Sequence, residues 1–315
     1  MAGYAARRFL ALIPVLLGVA IVTWVLLQLT PGDPSLTLLP PETSEAVREA
    51  FRQDYHLNGP LYSRFGAWLW HASRGDFGTS IATGQPARDV MLTALGHTAE
   101  LALVAAVFAT TIGVGTGLVT AWWANSYFDR GARTLVVAAA SMPTFWIGLV
   151  LVYLIAIKLH LLPSGGIGPV TGEHDLETRA RYILLPAITA AILPAAIIAR
   201  LTRTLFLEVR QQEFVLALRT RGYSTLRIWK HILRNAAPGV VNICGLQAGH
   251  LILGTLFVEV VFVWPGIGQQ INQSISVRDY PVIEAIILAT GVCFALITLF
   301  TDLALRALDP RIESQ

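Results

Sequence analysis

The sequence predicts an all-α integral membrane protein with six membrane-spanning helices. Of the 315 residues, 54% are hydrophobic and only 14% are charged, whereas about 25% of residues are charged in an ordinary soluble domain. Several apolar runs reach the roughly 20 residues that a helix needs to cross a bilayer. Lys and Arg gather in particular loops, which marks those loops as cytoplasmic. A net charge of +3 is too small to indicate a nucleic-acid partner.

Both termini are predicted to lie in the cytoplasm. The first apolar run follows Arg7 and Arg8. It is too long for the apolar core of a signal peptide, and no small-residue cleavage site follows it, so we expect a retained helix. The third run is interrupted at Met142-Pro143, a break that is tolerated where a neighbouring helix or a cavity satisfies the freed carbonyl groups. The six predicted spans are residues 9–29, 97–123, 134–159, 182–205, 238–263 and 283–305.

Small residues inside the spans indicate how the helices pack. Gly113, Gly115 and Gly117 have spacings that permit a close helix contact in the second span. Cys244 and Cys293 lie within apolar runs and are predicted to be small core residues rather than a disulfide or a metal site.

A polar stretch, residues 31–95, follows the first span and is predicted to be extracytoplasmic. It holds five basic and seven acidic residues, so it lacks the basic excess of a cytoplasmic loop. Two amphipathic helices are predicted within it, one capped by Thr43 and one that follows Pro60. The second helix carries tryptophans, which favour the boundary between water and lipid. We therefore expect a folded extracytoplasmic segment within a single domain over residues 1–315.

A basic polar island, residues 206–236, separates the fourth and fifth spans. Eight Lys or Arg residues and only two acids lie between positions 200 and 236, so the island is predicted to be cytoplasmic. Phe214, Ala217 and Leu218 have the spacing of one face of a short helix. Gly222 is the residue type that ends a helix in a left-handed cap. A second helix is expected to begin at residue 224 or 225, and the pair forms a helix-turn-helix directed at a soluble partner.

The pattern of this island resembles the EAA loop of ABC importer permeases, the segment that docks into a groove on the ATPase subunit. The residues that carry the resemblance are Ala217, Leu218, Gly222, Ile232 and Pro238. An alternative is an amphipathic basic loop that binds anionic lipid headgroups. Lipid binding does not require a glycine at this fixed place, so the docking loop is the favoured interpretation.

The resemblance is closest to the dipeptide and oligopeptide branch of that family. Glu213-Phe214 matches the acid and aromatic pair that opens the motif in this branch, and residues 231–235 match its His-x-Leu-Arg-Asn ending. The small residues that usually precede the glycine are replaced by Leu218 and Thr220, which makes the docking face bulkier. Further similarity to the branch lies in residues 31–34, 74–80, 264–268, 278–282 and 308–311.

The resemblance implies the architecture and partners of an ABC importer in a bacterial cytoplasmic membrane. This chain would form half of a translocation pathway with a second, homologous permease subunit, two ATP-binding subunits and an extracytoplasmic substrate-binding protein. ATP and Mg are expected on the ATPase subunits, and no cofactor on this chain. The implied substrates are di- or oligopeptides, with nickel, glutathione or another small solute as alternatives. The residues implied in ATPase coupling are Glu213, Phe214, Ala217, Leu218 and Gly222.

An enzymatic function is not indicated by the sequence. The chain has no His-Glu-x-x-His motif, no Gly-x-Ser-x-Gly motif and no Cys and His group at metal-binding spacing. Its only lysines, Lys158 and Lys230, do not follow the glycines of a P-loop. We therefore expect a non-catalytic subunit without a metal site, and any nucleotide hydrolysis belongs to another polypeptide.

Polar residues inside the spans are candidates for a substrate path. Gln247, His250 and Gly254 share one face of the fifth span near its middle. They either line the path, or the histidine bonds to a neighbouring helix, and the second interpretation is favoured. Glu259 and Glu284 are expected near water at the outer ends of their spans. The chief rival function is an autonomous secondary transporter coupled to ions through groups such as Glu259 and His250, but the sequence shows no internal repeat.

Overall fold

The computed structural model describes residues 2–29, 42–54, 60–169 and 175–308. These residues are helical or in loops, apart from an isolated antiparallel bridge between Thr79 and Pro86, which confirms the all-α class. The helix Thr144–Leu151 continues into a π-helical segment, Val152–Lys158. The helices in the described ranges are α1 (Ala2–Leu29), α2 (Glu45–Asp54), α3 (Leu61–Ala72), α4 (Ala87–Trp122), α5 (Tyr127–Ser141), α6 (Thr144–Leu151), α7 (Leu176–Arg210), α8 (Glu213–Thr220), α9 (Thr225–Val261), α10 (Ile267–Ser276) and α11 (Tyr280–Leu308).

Five of the described helices are long and apolar enough to cross a membrane, namely α1, α4, α7, α9 and α11. The helices α5 and α6 pass the same test only as a pair, and they are bent by 104° at the break between them. Met142 and Pro143 form that break, as the sequence predicted, because proline lacks the N–H that would continue the helical bonding. The described part of the chain therefore has five candidate spans, or six if the bent pair crosses the bilayer as one.

Several helices extend beyond the predicted span boundaries. The helix α4 begins at Ala87, ten residues before the predicted span 97–123. Pro238, expected in the first turn of the fifth span, lies inside α9 instead, because that helix already begins at Thr225. The predicted boundaries followed the apolar residues, whereas these helices also include polar residues at their beginnings. The polar helix α10 was not predicted.

The described chain packs as two compact units. The first unit comprises Met1–Thr98 and Pro265–Cys293, and the second comprises Ala99–Trp264 and Phe294–Gln315. The helices α4 and α11 each contribute residues to both units. The prediction of a single domain over residues 1–315 stays a prediction.

The second unit is built around α7, which packs mainly against α9. Of the most apolar window of α7, 67% is buried, whereas the corresponding share is 17–39% in the other four candidate spans. Central core residues of this unit are Leu101, Ala105 and Ala109 of α4, Leu185, Ala191 and Ile198 of α7, Leu251 and Val258 of α9, and Phe262, which follows α9. The helix α7 is thus the central and most buried helix of the unit.

Two glycines bring α4 and α7 into close contact. A Cβ on Gly113 would lie 2.8 Å from the carbonyl oxygen of Ala195, and a Cβ on Gly117 would lie 2.7 Å from that of Ala199. A Cβ on Gly115 would meet nothing within 4 Å. The predicted close contact is therefore confirmed for the first two glycines and wrong for the third, because residues four apart share a helix face while the residue between them points elsewhere.

Replacing Gly117 with leucine should separate α4 from α7, because the new side chain would overlap backbone atoms that cannot rotate away. We expect a loss of about 1–3 kcal/mol or more in the free energy of unfolding, and a lower yield of folded protein in detergent. Gly115→Leu is the matched control and should leave the yield unchanged. An equal loss in both variants would contradict the contact.

In the first unit, α1 and α3 meet through aromatic side chains. The rings of Trp24 and Phe65 lie edge to face with 5.4 Å between their centroids, and the guanidinium carbon of Arg64 lies 5.9 Å from the centroid of the Trp24 ring. Phe65, Trp68 and Leu69 occupy the half-buried side of α3. The predicted amphipathic helix after Pro60 is therefore confirmed, and its apolar side packs within the unit.

Two acids that were expected near water are buried. Glu259 of α9 has no exposed surface, and Glu284 of α11 is 7% exposed. In the first unit, burial lowers the pKa of the Arg64 guanidinium, and the negative charge of Glu284 opposes that shift. The position of a residue along a span indicates its depth but not what covers its side chain, and here both side chains are covered by other parts of the protein.

Two loops of the first unit that are far apart in sequence are joined by a buried carboxylate. Asp279, which is 1% exposed, accepts a hydrogen bond from the Ser80 hydroxyl and another from the Ile81 N–H at 3.1 Å. These residues belong to the two loop motifs at 74–80 and 278–282 or directly follow one of them. The two sequence motifs therefore lie side by side in the structure and are joined through Asp279.

Candidate coupling site

The short helix α8 is held between α7 and α9 by two tight connections. Gln211 and Gln212 form the turn that follows α7, and Glu213 stands in the first turn of α8, where its charge is favourable to the helix dipole. The predicted short helix of the island is confirmed. The predicted second helix is the beginning of the long helix α9.

Gly222 ends α8 in the left-handed conformation that the sequence predicted, with φ of +73°. The Gly222 N–H donates to the Arg219 carbonyl at 3.0 Å, and the Tyr223 N–H donates to the Leu218 carbonyl at 3.1 Å. The second bond spans five residues, as in a Schellman cap. A Cβ on Gly222 would meet nothing within 4 Å. Glycine is therefore favoured here by its backbone conformation and not by lack of space.

One side of α8 packs on an apolar cluster that we call the coupling cluster. Val215, which is 1% exposed, is the buried residue that α8 contributes, and Phe214 and Leu218 pack against the cluster from its edge. The other buried members are Ala121 of α4, Phe206 and Val209 of α7, and Ile228, Ile232 and Ala236 of α9. Because interiors of this kind are close-packed, a displacement of α8 would displace the ends of all three long helices.

The outward side of α8 differs from the predicted docking face. Phe214, Ala217 and Leu218 were expected to share it, but Phe214 and Leu218 are half-buried against the coupling cluster. Of the three, Ala217 is exposed, together with Glu213 and with Leu216, which is 64% exposed. The sequence interpretation missed Val215 and Leu216. The apolar spacing of residues 214, 215 and 218 is also that of a face packed on the chain itself, and this signal would have found the inward side.

A buried ion pair lies beside the coupling cluster and was not predicted. The Asp129 carboxylate has no exposed surface and accepts hydrogen bonds from Nε and Nη2 of Arg203, both at 2.8 Å. Its other neighbours are the Asn125 N–H at 2.9 Å and Nε of Arg133 at 3.4 Å. Arg203 precedes Phe206 by one helical turn of α7. The pair therefore ties the turn between α4 and α5 to the part of α7 that supports α8.

The three candidate path residues have different surroundings. Gln247 is 8% exposed, whereas His250 and Gly254 are exposed on the surface of the chain. The His250 ring lies 5.9 Å from the ring of Phe294, measured between centroids. The contact that the structure shows for this histidine is thus an aromatic one. A role in a substrate path stays a prediction for all three residues, as does the coupling role of residues 213–222.

A set of long apolar helices that share one packed cluster with a short surface helix is the architecture of a multi-pass integral membrane protein. The chain belongs to the family described as "Binding-protein-dependent transport system inner membrane component", whose match covers residues 113–314. Members of this family are membrane components of transport systems that depend on a separate binding protein.

Full-length relatives carry the names of peptide and glutathione permeases. The chain is 37% identical to the dipeptide transport system permease protein DppB of Alkalihalophilus pseudofirmus, over 99% of this chain and 100% of the relative. It is 36% identical to the oligopeptide transport system permease protein AppB of Bacillus subtilis, with the same coverage. It is also 36% identical to the glutathione transport system permease protein GsiC of Escherichia coli, over 99% of both chains.

A solved structure shares the fold at lower identity. The inward-facing MetNI methionine ABC transporter contains a chain that matches with a TM-score of 0.56 and 18% identity, over 70% of this chain and 96% of that chain. This likeness supports the helical fold of the transport subunit.

Proposed function

We propose that this chain is one of two permease subunits of an ATP-driven importer in the bacterial cytoplasmic membrane. The observation that carries the proposal is the helix α8, capped at Gly222 and packed through Val215 on the ends of three long helices. A subunit that receives movement from a separate ATPase needs such an exposed element in rigid contact with its spans. Six spans with both termini in the cytoplasm fit the concentration of basic residues around α8.

The substrates we propose are di- or oligopeptides, delivered by a substrate-binding protein on the outer side. The support comes from two relatives with dipeptide and oligopeptide names that match over their full length. The glutathione permease relative is nearly as similar, so glutathione, itself a small peptide, is the second candidate. An outer-side binding protein would select between them before the permease is engaged.

The mechanism that follows is alternating access driven through the coupling cluster. Closure of two ATPase subunits on nucleotide would move α8, and the coupling cluster would carry that movement to α4, α7 and α9 together. The buried pair of Asp129 and Arg203 would keep the turn after α4 moving with α7. The permease contributes a pathway with two states and no chemical step, as in other transitions in which packed elements move as rigid bodies.

The surface of α8 that would enter an ATPase groove consists of Glu213, Leu216 and Ala217. Leu216 is the large apolar side chain that α8 exposes, at 64%. An exposed leucine on a short helix is well suited to anchor a protein–protein interface, since a few residues that become buried in an interface carry most of its binding energy. Ala217 beside it leaves room for the partner to approach the helix backbone.

The proposal is tested by co-expressing the permease pair with its ATPase subunits and purifying the complex. Leu216→Asp should lower ATPase binding at least about tenfold, because a carboxylate would be buried in the interface without a partner. Stimulation of hydrolysis by the loaded substrate-binding protein should disappear. Leu161→Asp is a chemically matched control, since Leu161 is 60% exposed in a loop outside α8, and it should retain both activities.

A different result would support the rival function. Uptake by the purified permease alone, driven by an ion gradient and unchanged by removal of the ATPase subunits, would identify a secondary transporter. Unchanged ATPase binding in the Leu216→Asp variant would show that α8 is not the docking element.

A further inference from the structure

An apolar groove runs beside the coupling cluster on the surface of the second unit. Its walls come from the last turns of α4 and the first turns of α9, and its volume is about 380 Å³. The residues that line it are Leu118, Trp122, Leu226, Arg227, Trp229, Lys230 and Leu233. The rings of Trp122 and Trp229 stack with 4.5 Å between their centroids and close one wall. The groove would hold an apolar group of the size of a small ligand.

A basic cleft adjoins this groove. Its volume is about 420 Å³, and it is lined by Tyr223, Arg227, Lys230, His231 and Arg234. Arg227 and Lys230 line both the groove and the cleft. The two surfaces follow from the sequence of α9, because residues 226, 229, 230 and 233 share one helix face while residues 227, 231 and 234 share the next. Tyr223 stands in the turn before the helix. None of the described residues that line either surface is an acid.

An apolar groove that adjoins a basic cleft is suited to bind a ligand with an apolar chain and an anionic head. Neither a free nucleotide nor a phosphopeptide would fill a groove whose lining is apolar and includes the aliphatic stems of Arg227 and Lys230. Those stems can lie along an apolar chain while their charged ends reach the cleft. Tryptophans are enriched at the boundary between lipid and water, and basic pockets beside spanning helices bind anionic lipid headgroups.

We propose that this surface binds one anionic phospholipid of the cytoplasmic leaflet, with an acyl chain in the groove and the phosphate in the cleft. The site differs from α8 itself, whose outward side is offered to the ATPase. The lipid would pack against Leu118 and Trp229, which belong to the edge of the coupling cluster. Bound lipid would therefore support the cluster through which α8 acts.

The test is photo-crosslinking of the intact transporter complex in phosphatidylcholine nanodiscs. The probe is phosphatidylglycerol with a diazirine at the end of one acyl chain. We expect labelled peptides from residues 118–122 or 226–233, and competition by unlabelled phosphatidylglycerol but not by phosphatidylcholine. Arg227→Gln combined with Lys230→Gln should lower labelling by about tenfold or more, since each basic residue contributes strongly to anionic-lipid binding.

Arg219→Gln combined with Arg221→Gln is the matched control, because it removes the same charge from exposed residues outside both surfaces. Labelling should stay within about twofold of that of the unsubstituted complex, because exposed charges outside the site are screened from the bound lipid by salt. Equal labelling by a phosphatidylcholine probe would overturn the proposal. So would absence of label from these peptides in the complex, because another subunit would then cover the groove. If the double variant does not assemble, the competition result on the unsubstituted complex decides.

Discussion

Replacing Gly222 with valine should yield a permease that inserts and assembles but no longer couples ATP hydrolysis to transport. At φ of +73°, a residue with a Cβ loses about 1–2 kcal/mol, and a β-branched residue loses more. No neighbour lies within 4 Å of the added Cβ, so the cost is confined to the backbone. The cap would open, the bond from the Tyr223 N–H to the Leu218 carbonyl would be lost, and α8 would be directed away from the ATPase groove that we propose as its partner.

The measurement is hydrolysis by the reconstituted complex with and without loaded substrate-binding protein. A cost of about 2 kcal/mol lowers the population of the capped geometry by more than about tenfold, and we expect a similar loss of stimulated hydrolysis. Gly222→Asn is the control, because asparagine adopts the left-handed conformation at small cost and should keep most of the coupling. Normal transport by the valine variant would exclude this cap from the coupling mechanism.

Replacing Asp129 with alanine should destabilise the whole second unit. Removal of one partner from a buried ion pair costs about 3–5 kcal/mol, because the other charge is left buried and unpaired. Here that charge is Arg203, whose side chain is only 16% exposed. For a protein of this size, we expect the unfolding midpoint to fall by on the order of 10 °C. The half-buried thiol of Cys244, which lies in the second unit, offers the measurement, since a thiol-reactive dye labels it as the helices of that unit separate.

Two further variants test whether the loss of stability comes from the pair of Asp129 and Arg203. Arg133→Gln removes the more distant cation, whose side chain is 50% exposed, and should cost at most about 1 kcal/mol. Asp129→Leu combined with Arg203→Met removes both charges and should recover much of the loss. If the double variant is no more stable than Asp129→Ala, the pair is not the source of the stability.

Features that depend on a short stretch of chain were predictable. The island between the fourth and fifth spans, its short helix and the left-handed cap at Gly222 all follow from local preferences, and the structure contains each of them. The break at Met142-Pro143 is of the same kind. In these cases the residue type itself restricts the backbone, so no distant partner is needed.

The side of a helix that faces a partner was less predictable. The spacing of Phe214, Ala217 and Leu218 indicated an apolar face, but whether that face contacts the chain or an ATPase depends on what lies opposite. The three glycines of the second span illustrate the same point, because only Gly113 and Gly117 face α7. In a membrane protein, apolar residues face lipid as readily as the core, so hydrophobicity alone does not distinguish the two sides.

The sequence by itself determined the all-α membrane class, the approximate position of each apolar helix and the resemblance to importer permeases. Tertiary structure decided which distant polar side chains meet. Asp129 with Arg203 and Ser80 with Asp279 are separated by 74 and 199 residues, and no local pattern distinguishes these acids from those that face water. A buried carboxylate needs a hydrogen-bonding or ionic partner, because an unpaired charge in a packed interior costs several kcal/mol. That burial exists only once the helices have packed.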